Sequence, residues 1–319
     1  MKNVRSPGAD VGAWHSATRR SGSLRRFPQF TLGFNLAVIL WGAYVRASGS
    51  GAGCGRHWPL CNGVVVPRGA RLETLVEFGH RVTSGIALAL IVGLVVWAFR
   101  ATEPGHRLRR AAVASLVFIV TEALIGAGLV TLGLVGQDSS LLRIVYLPLH
   151  LANTFCLIAA LTLAALWADR PAPVPPARQA TSAVGGWVTL GLILLVATTG
   201  AVTALGDTLF PVGSLGSFPA EGVSPAAQLL VRLRVVHPAL AVLGAVVACV
   251  VGYRAISRFG SRAVERPARW LIGLSIGQLA MGTLNLLLAV PIATQLLHLL
   301  LADLMWIAAV AMTAGMRET

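Results

Sequence analysis

The feature that most constrains this chain is a series of eight long apolar stretches that recur along nearly its whole length. Hydrophobic residues make up 55% of the sequence and charged residues only 12%, which is too little charge to cover the surface of a soluble domain. The sequence therefore predicts an all-α integral membrane protein. At about 20 apolar residues for each crossing of a bilayer, its spans are predicted at about 28–46, 76–99, 111–133, 146–167, 184–205, 229–252, 270–290 and 292–315.

The chain is also strongly basic, with 26 Lys and Arg against 12 Asp and Glu and a formal net charge of +14. A nucleic-acid-binding protein needs basic residues on an exposed face, whereas here they stand in short segments between apolar stretches. Most of them fall on one side of the predicted spans, and the positive-inside rule makes that side cytoplasmic. We therefore expect a multi-pass membrane protein with both termini cytoplasmic and no nucleic-acid partner. The short basic tail fits a bacterial cytoplasmic membrane, and the composition also allows a mitochondrial inner membrane.

The sequence divides into two similar halves of four spans each. Gly42-Ala43 near the end of the first span is repeated as Gly200-Ala201 near the end of the fifth. Because four spans separate the copies, both have the same orientation, which predicts two four-helix bundles related by a pseudo-twofold axis. The expected parts are a cytoplasmic basic tail (1–27), a first bundle (28–170), a Pro-rich cytoplasmic linker (171–183) and a second bundle (184–319).

Four of the seven histidines lie on even-numbered spans, at a similar depth near the outer end. They are His80, His150, His237 and His298. An ionisable residue inside the membrane is costly and marks a candidate functional site, although a single one is often only hydrogen-bonded to a neighbouring helix. Four at matched depth, two in each half, favour haem iron, which takes axial imidazoles from facing helices. We expect one site at His80 and His150, and a second at His237 and His298.

The surroundings of the two histidine pairs differ. Glu77 precedes His80 by three residues and so shares a helix face with it, whereas Arg234 stands at the corresponding place before His237. A carboxylate beside a haem edge can act as a general base or stabilise a developing cation, so Glu77 is the candidate catalytic residue. The alternative is an acid that only stabilises a helix start.

Arginines near these histidines can bind haem propionates through paired hydrogen bonds. The alternative for each of them is an arginine that extends toward the membrane interface. The propionate candidates are Arg81, Arg232 and Arg234.

Two cysteines, Cys54 and Cys61, lie in the first outer loop on either side of His57. That loop faces an oxidising compartment, where disulfides persist, and the spacing differs from that of the usual zinc-binding pairs. The favoured interpretation is a structural or redox-active disulfide. A metal site that includes His57 is the alternative.

Several of these segments resemble the haem A synthase family. Residues 42–51, followed by Cys54 and residues 58–63, are similar to the first-loop signature of that family, and residues 77–81 are similar to its glutamate–histidine–arginine motif. His150, His237 and the segment 298–303 match its other ligand segments. The second half departs from the pattern at Pro238, which follows the histidine where Arg81 does so in the first half.

The resemblance implies an oxidoreductase acting on a CH group. Haem O would be oxidised at its C8 methyl group to a formyl group by successive hydroxylations with water-derived oxygen, for cytochrome oxidase biogenesis. His80 and His150 would ligate the substrate haem, and His237 and His298 would ligate a haem b cofactor. Glu77 would stabilise a cationic intermediate or accept protons, and the cysteine pair would relay electrons or steady the loop.

The expected partners are haem O, membrane lipid, a haem O synthase and an electron acceptor that is either a quinone or a redox protein, with a homo-oligomer as a further option. Two other functions fit the histidines. One is a dihaem b-type, quinone-linked electron-transfer protein, and the other is a non-catalytic haem carrier or assembly factor. Glu77, which has no counterpart in the second half, and the outer cysteine pair favour the enzyme.

Overall fold

The computed structural model describes residues 11–168, 183–209 and 225–318. Within these ranges the chain forms eight α-helices, a short 3-10 turn at Ser50–Ala52 and no β-structure beyond an isolated bridge between Cys61 and Val64. The helices are α1 (Val11–Ala47), α2 (Leu72–Ala101), α3 (Arg107–Thr131), α4 (Leu141–Trp167), α5 (Val184–Leu209), α6 (Pro225–Phe259), α7 (Arg262–Leu287) and α8 (Ile292–Met316).

Each of these helices contains a segment long and apolar enough to cross a membrane, with mean hydropathy between 1.3 and 2.3. The prediction of an all-α, multi-pass membrane protein is therefore confirmed for the described residues. The pseudo-twofold axis stays a prediction, and the predicted linker lies outside the described residues except for residue 183.

Most helices extend a few residues beyond the predicted spans, and the two ends of greatest interest are the start of α1 and the end of α7. α1 begins at Val11 and continues through Pro28, so the described part of the predicted tail is already helical. α7 ends at Leu287, short of the predicted residue 290. There Ala289 and Val290 adopt positive φ angles of 59° and 62°, and the Val290 amide donates to the Asn285 carbonyl over 2.8 Å, which turns the chain away from the helix.

Serine side chains cap two of the helices at their first turns. The Ser140 hydroxyl accepts a hydrogen bond from the Arg143 amide at the start of α4, and the Ser261 hydroxyl accepts one from the Ala263 amide at the start of α7, each over 3.3 Å. These amides have no carbonyl partner within the helix. The caps therefore define where α4, which carries His150, and α7 begin.

The two halves meet along α4 and α8, which contact each other and both contact α1 and α5. The rings of Phe155 on α4 and Trp306 on α8 stack with their centroids 5.0 Å apart. The Trp306 indole also donates to the Phe155 carbonyl over 2.7 Å. Because α4 and α8 carry His150 and His298, this contact fixes the position of one half relative to the other.

Candidate functional site

All four intramembrane histidines lie near the beginning of an even-numbered span. Successive spans run in opposite directions, so these four beginnings share one end of the helix assembly. At 1.5 Å per residue, each histidine lies roughly 8–14 Å along its helix from the first residue of the span. The histidines are His80 on α2, His150 on α4, His237 on α6 and His298 on α8.

A glycine on the preceding helix faces each of these imidazole rings. The pairs are Gly42 with His80, Gly126 with His150, Gly200 with His237 and Gly282 with His298. A Cβ atom at those glycines would lie 2.8, 3.7, 2.9 and 3.2 Å, in the same order, from Cε1 of the facing ring. The helix pairs α1–α2, α3–α4, α5–α6 and α7–α8 therefore repeat one local arrangement, in which a missing side chain makes room for an imidazole.

The two histidines of each predicted pair lie at the same end of the helix assembly, His80 with His150 and His237 with His298. The Nδ1 atoms of His80, His150 and His298 are buried and have no hydrogen-bond partner among the described residues. A buried polar atom without a partner is costly. Imidazole rings that the described residues leave without this hydrogen bond fit the axial ligation of a haem iron.

The Glu77 side chain is buried, with 3% of the residue exposed, and both of its carboxylate oxygens are engaged. Oε2 accepts a hydrogen bond from the Cys54 amide over 2.8 Å, and Oε1 is bonded by the Arg81 guanidinium one turn further along α2. The carboxylate is therefore held in one orientation beside His80 by the first outer loop.

Arg81 anchors the same loop from the other side. One of its Nη1 hydrogens points to the carbonyl of His57 and another to that of Leu60, each over 2.6 Å. Cys54 and Cys61 form a disulfide in this loop, which confirms the predicted pairing, and both cysteines are buried. Because the two sulfurs are bonded to each other, they are not available as thiolate ligands for a metal together with His57.

The other two propionate candidates differ from each other. Arg234 donates to the Asp207 carboxylate over 2.8 Å and to the Gly206 carbonyl over 3.1 Å, so it joins α6 to the end of α5. Arg232 is exposed. A carboxylate–arginine pair thus lies near the histidines in each half, but the acid is on the histidine helix in the first half and on the neighbouring helix in the second.

Two polar residues at the site, Glu122 and Gln278, were not predicted from the sequence. Glu122 on α3 lies with Oε1 3.4 Å from Nδ1 of His150. A signal for it was present, because Glu122 stands four residues before Gly126 just as Gln278 stands four residues before Gly282. Gln278 in turn lies with Nε2 3.3 Å from Nε2 of His298.

Comparison with known proteins places this arrangement among proteins of cytochrome oxidase biogenesis. Residues 25–310 match the model of the COX15-CtaA family, described as cytochrome oxidase assembly protein. Proteins named heme A synthase are also similar. That of Geobacillus kaustophilus is 43% identical over 111 residues, 35% of each chain. That of Halalkalibacterium halodurans is 32% identical over 167 residues, 52% of this chain and 53% of the relative.

A longer relative shows higher identity. A Thermus thermophilus protein named protoheme IX farnesyltransferase is 46% identical over 276 residues, which are 86% of this chain but 45% of the relative. The match thus covers slightly less than half the length of that protein.

Proposed function

The chain belongs to the COX15-CtaA family of cytochrome oxidase assembly proteins, and from this premise we propose that it is a haem A synthase. In this proposal it oxidises the C8 methyl group of haem O to a formyl group. The observation that carries the proposal is the unequal surroundings of two otherwise similar histidine pairs. Carboxylates on α2 and α3 lie beside the first pair, whereas the second pair has Arg234 and Gln278 at the corresponding places.

The first half would hold the substrate and the second half the resident cofactor. His80 and His150 would ligate haem O, and His237 and His298 would ligate haem b. Haem b, when bound, supplies a one-electron redox centre whose potential depends on its ligands and their hydrogen bonds. The glycine that faces each imidazole leaves the ring the room it needs to turn toward an iron.

Glu77 would act on the substrate without moving far. Its carboxylate is already oriented by the Cys54 amide and Arg81, so little reorganisation is needed when positive charge develops on the reacting carbon. It can also accept a proton from a water molecule that adds there. Conversion of the methyl group to a formyl group consumes one water and releases four electrons and four protons. The electrons require an acceptor such as a quinone or a redox protein.

Arginines would set the depth of the haems. Arg232 is exposed and can bind a propionate directly, whereas Arg81 and Arg234 would have to share their guanidinium groups with Glu77 and Asp207. Paired hydrogen bonds from Arg to a carboxylate are strong enough to hold a propionate at the membrane surface.

The relative from Thermus thermophilus supports a partner that makes the substrate. Part of that longer protein is similar to this chain, and its name describes the transfer of a farnesyl group to protohaem. We therefore propose that a haem O synthase supplies haem O to this chain. The distribution of basic residues supports a bacterial cytoplasmic membrane with both termini on the cytoplasmic side.

The experiment that tests the proposal is to purify the protein in detergent from cells that also make haem O, and to extract and identify its haems. We expect haem b together with haem O, haem A or a hydroxylated intermediate. Haem b alone, unchanged when haem O is plentiful, would instead support the dihaem electron-transfer protein. Reversible haem loss with no formyl product would support the carrier.

A pair of variants tests the role of Glu77 in the same preparation. Glu77→Gln keeps the volume of the side chain but removes its charge, so haem b should be retained and conversion of haem O lost. Glu73→Gln is the matched control, because Glu73 lies one turn earlier on α2 and is exposed. Normal haem A production by Glu77→Gln would exclude Glu77 as the catalytic residue.

A further inference from the structure

The carboxylate of Glu122 is held inside the membrane by residues of the neighbouring helix. The Asn153 amide donates to Oε2 over 2.6 Å, and the Thr154 hydroxyl donates to Oε1. Asn153 itself is fixed, because its amide also donates to the Phe118 carbonyl over 2.9 Å and its carbonyl accepts from the Thr121 hydroxyl over 2.6 Å. An acidic residue in a membrane span is a functional candidate by default, and this one is oriented by an extended hydrogen-bond network.

That network places the carboxylate against the imidazole of His150. Glu122 Oε1 lies 3.4 Å from His150 Nδ1, and the His150 and Glu122 side chains are 28% and 18% exposed. A small rotation of the ring would convert this contact into a hydrogen bond from the Nδ1–H group, and Gly126 opposite the ring leaves the necessary space. Nε2 of His150 is then the nitrogen that can face an iron.

The second half has an amide in place of the carboxylate. Gln278 takes the place of Glu122 relative to the facing glycine, but its amide nitrogen lies 3.3 Å from Nε2 of His298 and not from Nδ1. The residues three and four positions after His298 are Leu301 and Ala302, where the first half has Asn153 and Thr154. Both the carboxylate and the groups that orient it therefore belong to the first half.

From this asymmetry we infer that Glu122 is a positioning residue that makes the first haem site the more electron-rich of the two. A carboxylate that accepts the outer N–H of a ligand histidine fixes the ring and raises its basicity, and hydrogen bonding to an axial ligand is one of the means by which a protein sets a haem potential. The first site accordingly has a lower reduction potential than it would have with the amide found in the second. The inference rests on the proposed function, since it requires haem at both sites.

A purely structural role for Glu122 is the competing explanation. In that case the carboxylate only joins α3 to α4 through Asn153 and Thr154, and it contributes to stability without changing the electronic properties of His150. The two explanations differ in one measurable quantity, the midpoint potential of each haem.

The test is a reciprocal exchange, Glu122→Gln and Gln278→Glu, in the purified haem-containing protein. Midpoint potentials are measured by redox titration followed by visible absorption. His80→Ala and His237→Ala, each of which removes one haem, assign the potentials to the two sites. We expect Glu122→Gln to shift the first-site potential to more positive values and Gln278→Glu to shift the second-site potential to more negative values. In each case the other site should not change.

Unchanged potentials in both variants would overturn the inference. If Glu122→Gln fails to bind haem in the first half, Gln278→Glu alone decides, and an unshifted second-site potential overturns the inference. Failure of the proposed function is a separate result. A wild-type protein that binds two haems but never converts haem O would refute the synthase and leave the comparison of potentials intact.

Discussion

Gly42 on α1 stands so close to His80 on α2 that a Cβ atom at position 42 would lie 2.8 Å from Cε1 of the imidazole ring. Carbon atoms of folded proteins do not approach each other so closely, so this position excludes every residue but glycine unless the ring moves. Gly200 and His237 have the same relationship in the second half, at 2.9 Å. The glycine in each of the two repeated Gly-Ala pairs is thus explained by the space that the facing histidine ring occupies.

Substitution of Gly42 by alanine should displace His80 and weaken haem binding in the first half. Misplacing one axial ligand should cost on the order of tenfold or more in affinity, as the loss of other groups that orient metal ligands does. The haem content per protein and the midpoint potentials show which site is lost. Gly33→Ala on the same helix is the control, because a Cβ atom there would meet nothing within 4 Å. Equal haem content in the two variants would contradict the prediction.

Most of the architecture could be predicted from the sequence, because a membrane span is specified by local composition. In lipid every backbone polar group must be hydrogen-bonded within the protein. An apolar segment of about 20 residues therefore forms a helix whatever other segments it packs against. For the same reason the histidines could be assigned to helices and to depths. Helix ends such as Val290 were less predictable, since a turn with positive φ at a non-glycine residue depends on its packing against neighbouring segments.

The contacts between helices could not be predicted in the same way. Glu77 and Arg81 share a helix face and could be paired from their spacing, but the Cys54 amide reaches Glu77 from a loop whose path no local pattern specifies. Glu122 and His150 lie on different helices, so their proximity depends on how α3 packs on α4. The sequence indicates this contact only through a repeated spacing, in which Glu122 and Gln278 each stand four residues before a glycine.

Replacement of Arg81 by methionine should loosen the outer loop and expose its disulfide. Arg81 donates to two carbonyls of the loop, and hydrogen bonds from a charged group contribute about 1.5–3 kcal/mol each. The loop should therefore open at least roughly ten times as often as in the wild-type protein. The frequency of opening is measured by the rate at which dithiothreitol reduces the Cys54–Cys61 disulfide. Cys156 and Cys249 are first blocked, and the thiols released by reduction are then labelled over time.

The control for that experiment is Arg68→Met, which removes an exposed arginine of the same outer segment. It should leave the reduction rate at the wild-type value. If Arg81→Met also reduces at that rate, the loop is held in place by contacts other than those of Arg81.

Arg46 should contribute to the stability of the contact between the two halves. Its guanidinium group, at the end of α1, donates to the Ala204 carbonyl and the Thr208 hydroxyl on α5, each over 3.0 Å, and to the Gln295 side chain on α8 over 3.1 Å. Arg46→Met should lower the free energy of unfolding by about 1.5–3 kcal/mol for each of these hydrogen bonds that is lost. Thermal unfolding in detergent measures the loss.

The matched control for Arg46 is Arg100→Met, because Arg100 also lies at the end of a span but is exposed. Its removal should change the unfolding temperature little. Arg46→Lys should recover part of the stability, since an ammonium group keeps the charge but lacks the planar fork that reaches α5 and α8 together. Equal stability of the methionine variants at positions 46 and 100 would show that the two halves do not depend on Arg46.

Asp303 and Asp207 should respond in opposite ways to the same substitution. Asp303 on α8 is fully buried, and neither carboxylate oxygen has a hydrogen-bond partner in the part of the chain that the structure describes. Asp207 on α5 is paired with Arg234 over 2.8 Å. Asp303→Asn replaces a buried carboxyl group with an amide of similar size and breaks no hydrogen bond among the described residues. Stability should therefore change by less than about 1 kcal/mol in either direction. Asp207→Asn removes the charge that pairs with Arg234 and should cost about 1–3 kcal/mol.

Thermal unfolding of both asparagine variants in the same detergent decides between these expectations. Because the substitutions are identical, differences in side-chain volume and helix propensity cancel in the comparison. A loss at position 303 as large as that at position 207 would mean that the Asp303 carboxylate is paired in the folded protein, for example with a buried water or cation. A smaller loss at position 303, or a gain, combined with reduced conversion of haem O, would mean instead that the buried acid is kept for function at the expense of stability.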